Sequence, residues 1–176
     1  MDIKMTGKIE IRKYKMSDAE RVVELFANDK VLKNLSIEKK AKDIKLNYEK
    51  KWLKKIINSY KKKKPKGQSF AITLDGVLIG SIGFHIADYH NQNTEIGYWI
   101  GEEYWGKGYT VRAVKKLIKI LFNKFKFVRI VGGAFSYNKA SQRVLEKAGF
   151  KFEGERRKIL KKFGKFIDDK MYAKVR

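Results

Sequence analysis

The chain has 176 residues, 43% of them hydrophobic and 13% aromatic, a composition typical of a folded domain and not of a disordered chain. It has no cysteine, which excludes disulfides, thiolate zinc sites and cysteine nucleophiles, and with only His85 and His90 we expect no metal site. The net charge of +23 favours anionic partners such as nucleic acid, ribosomes or anionic cofactors, although lysines spread along the whole chain also fit a simply solvated surface.

The sequence carries no targeting or membrane signal. Residues 1–7 lack the apolar segment of a signal peptide, and no apolar run approaches the roughly 20 residues that a membrane helix needs. We find no repeat, linker or boundary, so residues 1–176 are predicted to form one domain. We expect a soluble, cytoplasmic protein without a membrane partner.

The first third of the chain is predicted to contain a strand and two helices. Residues 8–14 alternate apolar and charged side chains, as a half-buried strand does. Ser17 and Glu20 have capping-box spacing and predict the start of the first helix. Residues 38–64 predict a longer helix with an apolar stripe and a lysine face that ends in the dense block Lys61–Lys64. A solvated surface is the preferred interpretation of that face, and a basic wall over a substrate entrance is the alternative.

The middle of the chain predicts a three-stranded meander. Asp75-Gly76 is a two-residue hairpin signal between strands at 70–74 and 77–87. A polar loop then leads to a third strand at 94–101, rich in aromatic and β-branched residues.

A glycine-bearing loop follows this strand and opens a helix predicted over 108–125. Gly106 and Gly108 allow the backbone to turn, and the start of a helix presents unpaired N–H groups and a positive dipole end. This arrangement binds phosphates, so we expect a phosphate-bearing ligand at residues 105–110. Residues 101–108 nearly match the triphosphate P-loop, but Gly108 stands where the hydroxyl residue that holds magnesium is required.

The last third predicts a buried strand at 127–131, a helix capped by Asn138 with Gly149 at its end, and two strands near 150–162 and 166–175. The strand–helix–strand unit 94–131 favours a right-handed parallel crossover. The predicted class is α/β (α+β), a mixed sheet with helices on both faces.

Two segments carry a family resemblance. The first reads Glu95-Ile96-Gly97-Tyr98-Trp99-Ile100 and then Tyr104-Trp105-Gly106-Lys107-Gly108-Tyr109-Thr110, and the second runs from Asn138-Lys139-Ala140-Ser141 to Glu146-Lys147-Ala148-Gly149-Phe150. They resemble the acyl-CoA loop and the following helix of the GCN5-related N-acetyltransferases (the GNAT family), and most closely the branch with the RimJ and RimL ribosomal-protein acetyltransferases. The chain departs from the wider family pattern at Trp105 and Thr110, and Arg112 would add positive charge near the phosphates.

The resemblance implies acetyl-CoA as cosubstrate, without a metal, on a mostly antiparallel sheet whose central parallel strands splay apart. The pantetheine arm would pair with the backbone of Tyr98, Trp99 and Ile100, as an added strand does. Asn138 would bond the pantetheine arm or cap its helix. The pyrophosphate would lie on the backbone N–H groups of the glycine loop, which are those of Trp105, Gly106, Lys107, Gly108, Tyr109 and Thr110.

The resemblance also suggests catalytic groups. Glu95 is the expected base that takes the proton of the amine, ahead of Glu102 and Glu103; the alternative is a glutamate that only orders the strand. Many family members protonate the leaving thiolate with a tyrosine at the position of Leu145. The RimL-like branch has the serine of Asn-x-x-Ser instead, so the resemblance implies Ser141 as the acid; the alternative is a serine that only bonds CoA or the backbone. His85 and His90 are not first choices for a catalytic role.

The expected acceptor is a primary amine. By analogy with the RimJ/RimL branch, we expect it to be a protein N-terminal amine such as that of a ribosomal protein. A polyamine or an aminoglycoside remains an alternative, although a chain of +23 repels polycations. A different class of function is a basic nucleic-acid or ribosome-binding module on a degenerate acetyltransferase fold, supported by Lys61–Lys64 with Trp52 and Tyr60 nearby. The oligomeric state is expected to be a monomer or a homodimer.

Overall fold

A computed structural model describes residues 7–176, so the signal-peptide prediction on residues 1–7 falls almost entirely outside the described residues. The strands are β1 Ile9–Arg12, β2 Gln68–Leu74, β3 Val77–Asp88, β4 Asn93–Ile100, β5 Arg129–Phe135, β6 Lys151–Lys162 and β7 Lys165–Val175. The α-helices are α1 Ala19–Phe26, α2 Asp29–Lys33, α3 Leu46–Ser59, α4 Tyr109–Asn123 and α5 Lys139–Lys147.

All seven strands form one sheet in the order β1-β2-β3-β4-β5-β7-β6. Every neighbouring pair is antiparallel except β4 and β5, which are parallel and joined through α4. Their pairing ends at Ile96 opposite Gly132, although β4 runs on to Ile100 and β5 to Phe135. The sheet is therefore mixed and mostly antiparallel, with a central parallel pair that splays apart, as predicted.

The two faces of the sheet are covered by different helices. Leu117 and Leu121 of α4 and Leu145 of α5 pack in the larger core on one face. Val22 of α1 and Leu53 of α3 pack in a smaller core on the other face. Helices on both faces of the sheet were predicted and are observed. Between residues 7 and 176, no helix is both long and apolar enough to cross a membrane.

The predicted capping box at Ser17 is wrong. Ser17 is exposed inside a 3-10 turn, and α1 begins only at Ala19. The reason is Asp18, whose carboxylate accepts the N–H of Lys15 at 2.8 Å and the Arg12 guanidinium at 2.8 Å. These bonds close the turn one residue before the helix and tie it to β1.

The helix predicted over 38–64 is shorter, since α3 covers only Leu46–Ser59. Tyr48, four residues before Trp52 and therefore expected on the apolar stripe, is exposed, whereas Glu49 is buried. Tyr60 lies just after the helix, where its hydroxyl accepts the N–H of Tyr14 at 3.0 Å and donates to the carbonyl of Ser69 at 2.6 Å. Helix α2 was not predicted; Asn28 caps it by accepting the N–H of Lys30.

Candidate active site

A cavity of about 420 Å³ occupies the gap where β4 and β5 separate. Its walls come from the ends of these strands, the glycine loop, the start of α5, the β6–β7 hairpin and the segment after α2. The cavity contains the residues that the sequence singled out on β4 together with Asn138 and Ser141 of the later segment.

The backbone of β4 offers free groups to this gap at every second residue. The N–H of Gly101 bonds to the carbonyl of Ile79, and in an antiparallel ladder the bonding residues alternate. Trp99 therefore turns its backbone toward β3, and Tyr98 and Ile100 turn theirs toward the side that β5 has left. The prediction that Trp99 contributes its backbone is corrected accordingly; its ring packs against Phe26 instead, with centroids 4.8 Å apart.

The glycine loop has the conformation that its sequence predicts. Gly106 and Gly108 have φ of +74° and +69°, in the left-handed region, and Gly108 is the residue before α4. The indole N–H of Trp105 donates to the carbonyl of Ile100 at 2.9 Å, which fixes the loop to the end of β4. The first N–H groups of α4 have no partner within the helix and are free to bind an anion.

The loop residues do not all face the cavity. Trp105, Gly106 and Thr110 line it, whereas Tyr109 packs against the larger core. The ammonium of Lys107 donates to the carbonyl of Glu103 at 2.8 Å. Arg112, expected near the phosphates, donates instead to the carbonyl of Gly7 at 2.8 Å.

Ser141 lies at the start of α5 beside a tyrosine that reaches it from β4. The Asn138 side chain accepts the N–H of Ser141 at 3.1 Å, which confirms the predicted cap. The hydroxyls of Tyr98 and Ser141 are 2.9 Å apart and share a hydrogen bond. Burial raises the pKa of the Tyr98 phenol, which is therefore neutral. Leu145, at the position of the family tyrosine, is buried against Gly132, where an added Cβ would lie 2.6 Å from its side chain.

Glu95 lies on β4 with its carboxylate on the opposite face of the sheet from Tyr98, because successive side chains alternate. Its Oε1 is 3.5 Å from Nε2 of His85. The interaction with His85 lowers the pKa of the Glu95 carboxyl, partial burial opposes this, and the Arg156 guanidinium lowers it further. Glu95 is therefore a carboxylate at neutral pH and able to accept a proton.

Gly133 of β5 leaves room for the charged groups beside Glu95. A Cβ added at Gly133 would lie 3.1 Å from Oδ2 of Asp169 and 3.8 Å from Oε1 of Glu95. Asp169 is bound by Arg156, whose Nε donates to Oδ1 at 2.8 Å and whose Nη2 donates to Oδ2. No sequence pattern indicated this ion pair, which joins the last two strands.

The segment after α2 forms a wall of the cavity, and Lys162 holds it. Its ammonium donates to the carbonyls of Leu32 at 2.6 Å and Leu35 at 2.7 Å, at the end of α2. Tyr137 donates to the carbonyl of Lys33 at 2.7 Å from the other side. We call residues 31–36 the roof of the cavity, since four of them line it. No sequence pattern indicated it, because its bonds span more than 100 residues.

Glu102 and Glu103 lie outside this arrangement. Glu102 is bound by Lys30 and by Asn28, and Glu103 is 3.6 Å from Arg21. Neither lines the cavity, and His90 is in the exposed turn between β3 and β4. Among the described residues, no group of three or more histidine, aspartate or glutamate side chains is placed to hold a metal.

Comparisons with known proteins agree with this geometry. The family model described as an acetyltransferase (GNAT) domain matches residues 8–151. The uncharacterized N-acetyltransferase YoaA of Bacillus subtilis is 28% identical over 171 residues, covering 97% of this chain and 95% of YoaA. A GNAT-family acetyltransferase from Bacillus anthracis has a crystal structure with a TM-score of 0.82 and 26% identity, covering 97% of this chain and 96% of that one.

The fold is also that of RimL, a ribosomal L7/L12 alpha-N-protein acetyltransferase solved in complex with coenzyme A. The TM-score is 0.85 at 20% identity, with 98% of this chain and 97% of the RimL chain covered.

Proposed function

The chain belongs to the acetyltransferase (GNAT) family and is an N-acetyltransferase, and we propose that its acceptor is the N-terminal amine of a protein. The observation that carries the proposal is the gap between β4 and β5. It has free backbone groups of Tyr98 and Ile100 beside the glycine loop, with Ser141 reaching it from one face and Glu95 from the other.

The residues of the gap fit acetyl-CoA. The N–H and C=O of Tyr98 and the N–H of Ile100 have no strand partner and would pair with the amides of the pantetheine arm. The loop 105–110 and the first turn of α4 would hold the pyrophosphate. When bound, acetyl-CoA supplies a thioester whose acetyl group is open to attack by a neutral amine.

Glu95 and Ser141 would carry out the two proton transfers of the reaction. The Glu95 carboxylate, kept charged by His85 and Arg156, would take the proton that the amine releases, directly or through one water. Ser141 would hold its hydroxyl proton for the leaving sulfur, with Tyr98 fixing the direction of that hydroxyl. The two groups would act from opposite faces of the sheet, so the amine and the cofactor would enter from different sides.

Two observations favour a protein N-terminus over a polycationic small molecule. The carboxylates that line the cavity are Glu95 and Asp169, and Asp169 is already neutralised by Arg156. A polyamine would need several free carboxylates to offset the repulsion of a chain with net charge +23. The fold shared with RimL supports the same choice.

Acetyl-CoA should raise the melting temperature of the protein by several degrees. At about 100 times its dissociation constant a ligand adds about 2.7 kcal/mol to the free energy of unfolding. For a chain of this size each kcal/mol shifts the transition by about 2–4 °C. Differential scanning fluorimetry with millimolar acetyl-CoA measures this shift, with ADP as the control ligand. An unchanged melting temperature would contradict the cofactor assignment.

Thiol release from acetyl-CoA should be fastest with peptides that have a free N-terminal amine. The matched control is the same peptide with a blocked N-terminus and one internal lysine, and the competing acceptors are spermidine and an aminoglycoside. Faster turnover of spermidine or the aminoglycoside would replace the protein acceptor by a small amine.

Replacing Lys162 by methionine should weaken acceptor binding and leave acetyl-CoA binding unchanged. The variant removes the donor that three carbonyls of the roof share, which costs about 1–3 kcal/mol when those groups stay buried. We expect the KM for the peptide to rise about tenfold, because about 1.4 kcal/mol of lost binding is a factor of ten. Steady-state kinetics with each substrate varied in turn measure both constants.

The exposed neighbour Lys161 provides the control for this variant, since its replacement by methionine removes the same charge without touching the roof. An equal rise of KM in both variants would show that charge alone is responsible.

A further inference from the structure

A second, strongly basic depression lies at the end of α4 that points away from the glycine loop. It has a volume of about 300 Å³. Its lining includes Lys63 and Lys64 from the loop after α3, Tyr89 from the turn after β3, and Lys124, Phe125 and Lys126 from the connection between α4 and β5. The 15 residues of α4 separate it from the glycine loop by about 22 Å, so the active site and this depression are distinct.

The four lysines of this depression are not neutralised. No carboxylate lines it, and none of the ion pairs found within residues 7–176 includes any of the four. The nearby Asp88 carboxylate already accepts the N–H groups of His90 and Asn91. Like charges gathered in one concave site repel each other unless an anion joins them.

A lysine-rich surface does not account for this arrangement. Lys63 and Lys124 are 61 positions apart in the chain, and the fold brings them to one cavity. The dipole of α4 favours cations at its C-terminal end, which accounts for Lys124 and Lys126. It does not account for Lys63 and Lys64, which come from a different loop.

Aromatic rings alternate with these lysines. The ammonium of Lys64 lies 5.8 Å from the centre of the Tyr89 ring, and that of Lys124 lies 5.7 Å from the centre of the Phe125 ring. Tyr89 is fixed by its hydroxyl, which donates to the carbonyl of Pro65 at 2.9 Å, and by packing on Phe127 at 5.1 Å. Cations beside half-buried, fixed rings suit a chain of phosphates that carries bases, since rings stack on bases and lysines bind phosphates.

Trp52 and Tyr60, the aromatic residues that the sequence suggested for nucleic-acid binding, do not line this depression. Trp52 packs edge-on against Tyr14 with centroids 5.3 Å apart, and Tyr60 stacks on Phe70 at 5.8 Å. Lys63 and Lys64 of that block instead line the depression together with Tyr89 and Phe125, which sequence spacing did not indicate.

We infer that this depression, defined by Lys63, Lys64, Lys124 and Lys126 around Tyr89 and Phe125, binds single-stranded nucleic acid. The bound strand would hold the enzyme on a nucleic-acid-containing assembly while the active site, at the other end of α4, stays open to an N-terminus. An acidic peptide would gain from the lysines but not from the rings.

Fluorescence anisotropy with a labelled 12-nucleotide oligo(U), and with oligo(dT) of equal length, tests the inference over a range of salt concentrations. In the variant with all four lysines replaced by glutamine we expect the dissociation constant for oligo(U) to rise at least 30-fold. The slope of log affinity against log salt should fall by about 2–3, because each lost phosphate contact removes about 0.7 for a single strand. Tighter binding of oligo(U) than of oligo(dT) would assign the strand as RNA. Equal binding would show that the depression accepts single-stranded RNA and DNA alike.

The matched control replaces the exposed Lys50, Lys51, Lys54 and Lys55 of α3 by glutamine. It loses the same charge, and we expect its dissociation constant to change less than threefold. Equal losses of affinity in both variants would show diffuse electrostatic attraction and overturn the inference. Polyglutamate that displaces oligo(U) as well as unlabelled RNA does would also overturn it and would indicate an acidic protein partner. An unchanged melting shift with acetyl-CoA confirms that each variant is folded, and the Lys63/Lys64 double variant repeats the test if the fourfold variant is not.

Discussion

Replacing Glu95 by glutamine should lower kcat/KM for a peptide acceptor about 100-fold near pH 6.5, which is the lower end of what a positioned base contributes. The loss should shrink as the pH rises through about 8, where an α-amino group loses its own proton. Below that pH the amine arrives as an ammonium ion and needs an acceptor for its proton. Above it, part of the substrate is already neutral.

The direction of the Glu95 pKa shift determines the pH range in which the wild-type enzyme and the Glu95→Gln variant can be compared. Because His85 and Arg156 lower this pKa, the carboxylate is charged at and above the usual glutamate value of about 4.3 and protonates only below it. Protonation of Glu95 therefore does not limit the wild-type rate between pH 6 and 9. Initial rates from pH 6 to 9 for both enzymes measure the difference.

Glu103→Gln is the control, since Glu103 is half exposed and does not line the cavity. We expect its profile to match wild type. A loss in Glu95→Gln that is the same at every pH would mean that Glu95 only orders the strand.

The features that sequence predicted well are those whose cause is local. Asp75 and Gly76 have φ of 49° and 87°, both positive as a tight hairpin turn requires. Gly149 ends α5 with φ of +88°, and Asn138 caps the same helix. In each case one or two adjacent residues determine the backbone, so the pattern could be recognised without knowing the rest of the chain.

The glycine loop was predicted only in part. Its conformation is local and was predicted, but its orientation depends on the Trp105 bond to Ile100 and on where β4 leaves β5. Sequence placed Trp99 among the backbone donors because it could not establish which residues of β4 bond to β3. The register with β3 decides that, and register is set by a strand that lies earlier in the chain.

The features that sequence missed are pairings between distant segments. Tyr98 and Ser141 are 43 residues apart, and Lys162 binds the carbonyl of Leu32 across 130 residues. Neither tyrosine nor lysine has a local signature for such a contact. Ser17 shows the opposite error. Its spacing from Glu20 fits a capping box, but the turn is closed instead by Asp18, which forms an ion pair with Arg12 of β1.

Replacing Ser141 by alanine should lower kcat about 100-fold, the low end of the range for a general acid, because a thiolate is a moderately good leaving group. The KM for acetyl-CoA and the melting shift it produces should stay within a factor of about two of wild type, since the loop and β4 backbone that would hold the cofactor are untouched. Single-turnover measurement of CoA release separates this chemical step from product dissociation. Ser141→Thr, which keeps a hydroxyl, should recover part of the rate, and full activity of Ser141→Ala would exclude Ser141 as the acid.

Tyr98→Phe distinguishes the group that gives the proton from the group that positions it. The two hydroxyls share one hydrogen bond of 2.9 Å, and either oxygen is able to donate in it. Burial raises the pKa of the phenol, so Tyr98 is neutral and both hydroxyls keep their protons until the thiolate leaves. If Tyr98 only orients Ser141, Tyr98→Phe should lose about tenfold in kcat, and the double variant should lose no more than Ser141→Ala alone, because coupled residues are not additive. If Tyr98→Phe instead loses the full 100-fold and Ser141→Ala loses little, the roles of the two hydroxyls are reversed.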